Sequence, residues 1–172
     1  MKTKHLTIAL MLGAAALSAC AKRVPPQTGA TIPDAGPGGD YDGGEQDDPG
    51  LRALQSALVA AAGSDRVFFG FDAYTLSPEA RATLTRQAAW LRQNPRIGFS
   101  IEGHADERGT REYNLALGDR RARAAAEFLI LQGIDPTRIS TLSYGKERPD
   151  ALGSDEQSHA RNRRAVSIVI RN

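Results

Sequence analysis

The 172-residue sequence has one cysteine, one tryptophan and three histidines. A lone cysteine, Cys20, cannot close an internal disulfide. Aromatic residues are only 6% of the chain, which suits a modest α/β core better than a large aromatic-rich one. No apolar run is long enough for a comfortable transmembrane helix. There is no G-x-S-x-G, and the cysteine lies far from the rest of the chemistry, so no activated nucleophile beside a base is legible. Positive charge is not concentrated either. Residues 20–65 carry three basic and seven acidic side chains, whereas residues 66–172 carry 17 basic and 13 acidic. An acidic arm followed by a mildly basic head gives no argument for a nucleic-acid partner, which needs a concentrated positive face.

The chain does have a patterned N-terminus. MKTKH is a short positive region, LTIALMLGAAAL an apolar stretch of signal-peptide length, and Leu17-Ser18-Ala19-Cys20 follows. LSAC resembles the lipobox of bacterial lipoproteins. That resemblance implies a signal over 1–19, removal before Cys20, and acylation of the Cys20 thiol and the new amine. Two or more acyl chains hold a protein stably at a membrane. Ala21 is not the aspartate that retains many such lipoproteins in the inner membrane, so the resemblance implies the outer membrane. The next stretch, AKRVPPQTGATIPDAGPGGDYDGGEQDDPG, is dominated by Gly, Pro and Asp and shows no helical or strand period. It cannot bury enough apolar surface to offset ordering, and residues 20–50 read as a lipidated, disordered tether. A flexible chain of that length spans roughly 30 Å root-mean-square.

Order is expected from Leu51. LRALQSALVAAA has helical spacing and stops at Gly63, giving a helix and lead-in over 51–65. RVFFGFD (66–72) reads as a strand. Ser77-Pro78-Glu79 starts a helix that runs to Asn94, before Pro95. IGFSIEGH (97–104) alternates Ile97, Phe99 and Ile101 as a strand. After the loop ADERGT, a long helix covers 111–132 and closes at Gly133. RISTLSYG (138–145) is a third strand, a polar segment with a short helix follows, and RAVSIVIRN places Val166, Ile168 and Ile170 on one face of a last strand. The order βαβαββ predicts an α/β fold, an α+β sandwich with helices on one side of a mixed four-stranded sheet over 66–172.

The chemistry concentrates in GHADERGTREYNLALGDRRA (103–122). His104, Asp106 and Glu107 are conceivable metal ligands, but neighbours at a strand end point in different directions, and no second H-x-x-H or C-x-x-C supports them. Asp106 lies at the carboxyl end of a strand, the rim where ligands usually sit in α/β folds. In the following helix Asn114, Leu117 and Arg121 are spaced i, i+3, i+7 and form one stripe. Leu115, Ala122, Ala125, Ala126 and Leu129 form a neighbouring apolar stripe against the sheet. A fixed acid and a fixed arginine suit a zwitterion, the acid meeting an ammonium and the guanidinium a carboxylate. An Asp–Arg pair that merely staples loop to helix fits the same residues, and the chemistry alone leaves both readings open.

GHADERGTREYNLALGDRRA, with SYGKERP (143–149) and NRRAV (162–166), resembles the OmpA-like peptidoglycan-binding domain family. With LSAC and FDAYTL (71–76) the resemblance narrows to its peptidoglycan-associated lipoprotein branch. It covers most of 66–172. It implies a non-catalytic domain, without cofactor or metal, that binds the diaminopimelate residue of the peptidoglycan stem. Asp106 would meet the ammonium and Arg121 the carboxylate. Asn114 and Leu117 would line the site and Arg164 would support it, while Arg108 and Arg120 would be solvated or face a partner. The resemblance also implies TolB and other Tol–Pal components as partners, with a role in envelope integrity and cell division. One departure is His159, where the family usually carries tryptophan or tyrosine before NRRA. A metal-dependent amidase and a purely structural lipoprotein are the competing readings.

Overall fold

The computed structural model describes residues 48–172. The expected signal (1–19), Cys20 and the tether as far as residue 47 lie outside the described residues. Among the described residues no helix is long and apolar enough to cross a membrane.

The elements run α1 (Pro49–Ala62), β1 (Arg66–Phe68), α2 (Pro78–Gln93), β2 (Ile97–His104), α3 (Arg111–Leu131), a 3-10 turn (Pro136–Arg138), β3 (Ile139–Gly145), α4 (Glu156–Asn162) and β4 (Arg164–Arg171). The four strands form one mixed sheet in the order β1-β4-β2-β3. β4 is antiparallel to both β1 and β2, and β2 is parallel to β3.

Local chemistry accounts for the helix starts. Ser77 caps α2 by accepting from the Ala80 amide, Pro78 fills its first turn, and Thr110 caps α3 by accepting from the Tyr113 amide. Asp48 caps α1 in the same way through the Gly50 amide, which moves the start of order two residues ahead of Leu51. α1 is more than a lead-in. Leu51, Leu58 and Ala62 enter the same core as Leu84, Leu91, Phe99, Ile101 and Leu129. Its Gln55 also serves the sheet. β1 pairs with β4 only as far as Val166, and beyond it Gln55 donates to the Ser167 carbonyl (3.0 Å) and accepts from the Val169 amide (2.8 Å). Buried backbone groups left by the short strand are thereby satisfied.

The strand expected over 66–72 pairs for three residues only. From Phe69 the chain leaves the sheet, its amide donating to the Arg163 carbonyl (2.9 Å), and Gly70–Leu76 becomes a loop. Val166, Ile168 and Ile170 do share a face of β4. The hydrophobic core lies on the other face, under Ala165 and Val169. Small residues are needed there because α3 approaches backbone to backbone. A Cβ on Gly103 would sit 1.9 Å from the Gly118 carbonyl oxygen, and one on Gly118 would meet the Ser143 hydroxyl at 2.3 Å. Overpacking typically costs 1–3 kcal/mol, and here the obstacle is backbone, so Gly103→Ala should destabilise the domain by about 3 kcal/mol. A urea titration with an unchanged midpoint would contradict this.

Candidate functional site

The glycine contact seats α3 against the carboxyl end of β2, and a pocket of about 270 Å³ opens beside it. Its walls are the β1–α2 loop (Phe71, Asp72), the loop after β2 (Asp106, Arg108, Gly109) and one stripe of α3 (Tyr113, Asn114, Leu117, Arg121). The i, i+3, i+7 stripe of α3 thus reaches the same cavity as Asp106.

Arg121 has no exposed surface. Its Nε donates to the Ala73 carbonyl (2.8 Å), one terminal nitrogen to the His104 carbonyl (2.8 Å) and the other to the Gly70 carbonyl (3.1 Å). One side chain thereby ties the β1–α2 loop to the end of β2. A guanidinium has five N–H groups, so donors remain for a further acceptor. Burial is the main influence on its pKa, which falls to about 10; the charge of Asp106 counters this and that of Arg163 adds to it. The group is therefore a cation at neutral pH whose three hydrogen bonds go to neutral carbonyls. Burying such a charge without a bonded counter-ion is costly, and an anion entering the pocket would relieve that cost.

Asp106, 5% exposed, is the opposite case. Its carboxylate accepts from the Arg108 amide (3.2 Å), from Arg108 Nε (3.3 Å) and Nη2 (2.5 Å), and from Arg163 Nη1 (3.3 Å). Burial pushes its pKa up, but the hydrogen bonds and charge of Arg108, with Arg163, outweigh this and leave it below the usual value of 3.8. A carboxyl whose folded pKa is depressed stabilises the fold above its unfolded pKa, and that stability is lost as pH falls through the folded value. The stabilising contribution of the Asp106 charge should therefore be full and independent of pH near neutrality, and the melting temperature should drop as the pH falls below about 4. Comparison with Asp106→Asn, which lacks that ionisation, isolates the effect: the two melting curves should converge as pH drops.

The comparisons with known proteins bear on this geometry. Residues 68–163, more than half of the chain, match the OmpA family. The chain belongs to the OmpA family. A peptidoglycan-associated lipoprotein of Mesorhizobium japonicum is 40% identical over 167 residues, 97% of this chain and 93% of that protein. One from Rhizobium meliloti is 52% identical over 105 residues, 61% of this chain and 60% of that protein, so in that pair the aligned part spans about three fifths of the relative. The crystal structure of the peptidoglycan-associated lipoprotein from Burkholderia pseudomallei superposes with a TM-score of 0.61 at 42% identity, covering 63% of this chain and 92% of that one. The mixed four-stranded sheet with its helices is thus the OmpA-like α+β fold.

Within this OmpA-family domain the anticipated residues divide. Asp106, Asn114, Leu117 and Arg121 all line the pocket, and the Asn114 side-chain amide donates to the Arg108 carbonyl (2.9 Å), pinning the loop to α3. Arg164 does not. Its guanidinium donates to the Asn162 (3.3 Å) and Arg148 (3.2 Å) carbonyls, and the adjacent Arg163 contacts Asp106 instead. Alternation decides this: Arg164 is the first residue of β4, and successive strand side chains point to opposite faces. Arg108 and Arg120, expected to be solvated or to face a partner, are both exposed, and each also makes contacts within the domain. Arg108 grips Asp106 and lies over the Phe71 ring (4.3 Å), and Arg120 stands over Tyr74 (5.4 Å) and Tyr113 (6.0 Å). His104 turns away from the pocket, its ring stacked on Tyr144 and its Nε2 3.8 Å from Glu102. Among the described residues no three His, Cys, Asp or Glu side chains are grouped to hold a metal. His159 is buried, with Nε2 3.4 Å from Glu107 and Nδ1 3.8 Å from Glu156. It links the loop after β2 to α4. Phe71, Asp72 and Tyr113 were not singled out from the sequence. Asp72 adopts a positive φ of 50° and accepts from the Tyr113 hydroxyl, a contact that closes one side of the pocket.

Proposed function

We propose that this chain is an outer-membrane lipoprotein, anchored through acylated Cys20. Its domain holds the diaminopimelate residue of the peptidoglycan stem without breaking a bond, joining membrane to wall. The observation that carries this is the pairing, in one pocket, of a buried carboxylate with a buried guanidinium whose own bonds go only to neutral carbonyls. Diaminopimelate offers an ammonium and a carboxylate on one carbon, complementary to that pair. Kinship with peptidoglycan-associated lipoproteins supports the same ligand, and with it TolB and the Tol–Pal components as partners in envelope integrity and cell division.

The test is calorimetry of the full chain with a purified diaminopimelate-containing muropeptide, followed by mass spectrometry of the recovered ligand. Binding that is insensitive to a chelator, with the ligand intact, is the expected result. A cleaved ligand would replace this reading with a wall amidase. A folded chain that binds nothing would leave the Asp–Arg constellation purely structural. For the anchor, protein extracted from membranes should show an acylated N-terminus at Cys20, and Cys20→Ser should release it from the membrane.

A further inference from the structure

Asp106 is bracketed by two cations, and they are not held alike. Arg163 is buried and fixed from three sides: Nε donates to the Phe69 carbonyl (3.1 Å), Nη2 to Glu156 (2.8 Å) and Nη1 to Asp106 (3.3 Å). Arg108 keeps 38% of its side chain exposed and rests on the face of Phe71, itself 65% exposed. A second carboxylate, Glu156 Oε2, already lies 3.7 Å from Arg108 Nη1. An ammonium reaching Asp106 must compete with these two guanidinium groups for a carboxylate of limited acceptor capacity. Only Arg108 can yield, and Glu156 can take up its charge.

We propose that Arg108 is an internal competitor for the ligand: in the empty pocket its guanidinium occupies the place on Asp106 that a ligand ammonium takes, and binding displaces it. The inference rests on the zwitterion-binding reading above. The ammonium exchanges one charge-assisted contact for another, so displacing Arg108 offsets part of what its contact with Asp106 contributes, whereas the carboxylate reaching Arg121 makes a contact with no predecessor. Attachment is thereby kept reversible although the acceptor is a buried carboxylate. The displacement is felt only by ligands that carry the ammonium, which separates competition from a general effect on the pocket.

The probes are two synthetic stem tripeptides differing only at the third residue, one with meso-diaminopimelate and one with 2-aminopimelate, which keeps the distal carboxylate and lacks the distal amine. Calorimetry uses the full chain as wild type, Arg108→Ala and Arg108→Lys, with a thermal melt of each. Arg108→Ala should bind the diaminopimelate peptide roughly three- to tenfold more tightly, the scale of removing a competing ion pair with one buried partner. It should leave the 2-aminopimelate peptide within about twofold, and Arg108→Lys, which lacks the two-pronged grip, should fall between. Weaker binding of the diaminopimelate peptide to folded Arg108→Ala would make Arg108 a direct ligand contact and overturn the proposal. Unchanged binding, or equal tightening of both peptides, would overturn it too. In each of those cases the wild type still binds and the functional reading stands. Failure of wild type and variants alike to bind either peptide would instead remove the functional reading, and the competitor with it.

Discussion

Asp106→Asn keeps the shape of the side chain, removes its charge, and is expected to weaken binding of a diaminopimelate peptide by roughly ten- to a hundredfold. Hydrogen bonds to charged groups contribute about 1.5–3 kcal/mol, and each 1.4 kcal/mol is a factor of ten. The same change leaves Arg163 buried against a neutral amide, and the fold should lose about 1–2 kcal/mol at neutral pH. That loss is bounded because Arg163 retains the Phe69 carbonyl and Glu156. Calorimetry and melting of the variant therefore give separable answers. A domain that stays folded and binds as well as wild type would eliminate Asp106 as the ammonium site.

The largest stability effect is expected at Arg121. Arg121→Gln removes a fully buried cation that joins the carbonyls of Gly70, Ala73 and His104, and should cost about 3–5 kcal/mol. The β1–α2 loop, which carries Phe71 and Asp72, would lose its attachment to β2, and ligand binding should fall with it. Arg121→Lys keeps the charge but cannot reproduce three divergent donors from a planar fork, so it should lie between wild type and Arg121→Gln in both respects. Urea denaturation beside calorimetry measures both. A melting temperature within a degree or two of wild type for Arg121→Gln would show that the three carbonyls are satisfied without it. Loss of binding at Arg121 alone does not separate ligand contact from scaffold; the decisive comparison is with Asp106→Asn, where the scaffold is largely kept.

The long elements were legible because local chemistry and hydrophobic period agree in them. Ser77-Pro78 starts α2 and Thr110 starts α3, and the i, i+3, i+7 spacing alone places Asn114, Leu117 and Arg121 on one face of α3. Short-range parity was not legible. Whether Arg163 or Arg164 reaches Asp106 depends on the residue at which β4 begins, and a shift of one reverses every side chain. The length of β1 was hidden for a related reason. RVFFGFD is apolar between its charged ends, but only its first three residues pair, because Arg163 and Arg121 draw the remainder away through bonds to Phe69, Gly70 and Ala73. Such long-range contacts leave no periodic trace. The grip of Arg108 on Asp106 is local, an i, i+2 pair in a tight loop, but its importance shows only once both cations on the carboxylate are seen together.

β4 has a mechanical consequence. Its first residue follows Arg163, which touches Asp106, and its last full residue, Arg171, is bonded to Asp48 at the point where the chain arrives from Cys20. In the proposed role the wall pulls near one end of this strand and the lipid anchor at the other, about 24 Å away at the usual rise per residue. The load then runs along the strand, while the antiparallel ladder bonds to β2 lie across it. Tension applied in that direction shears the whole ladder at once instead of opening it one bond at a time. In that proposed role, the placement of α1 beside the end of β4 suits the domain to bearing force between two surfaces.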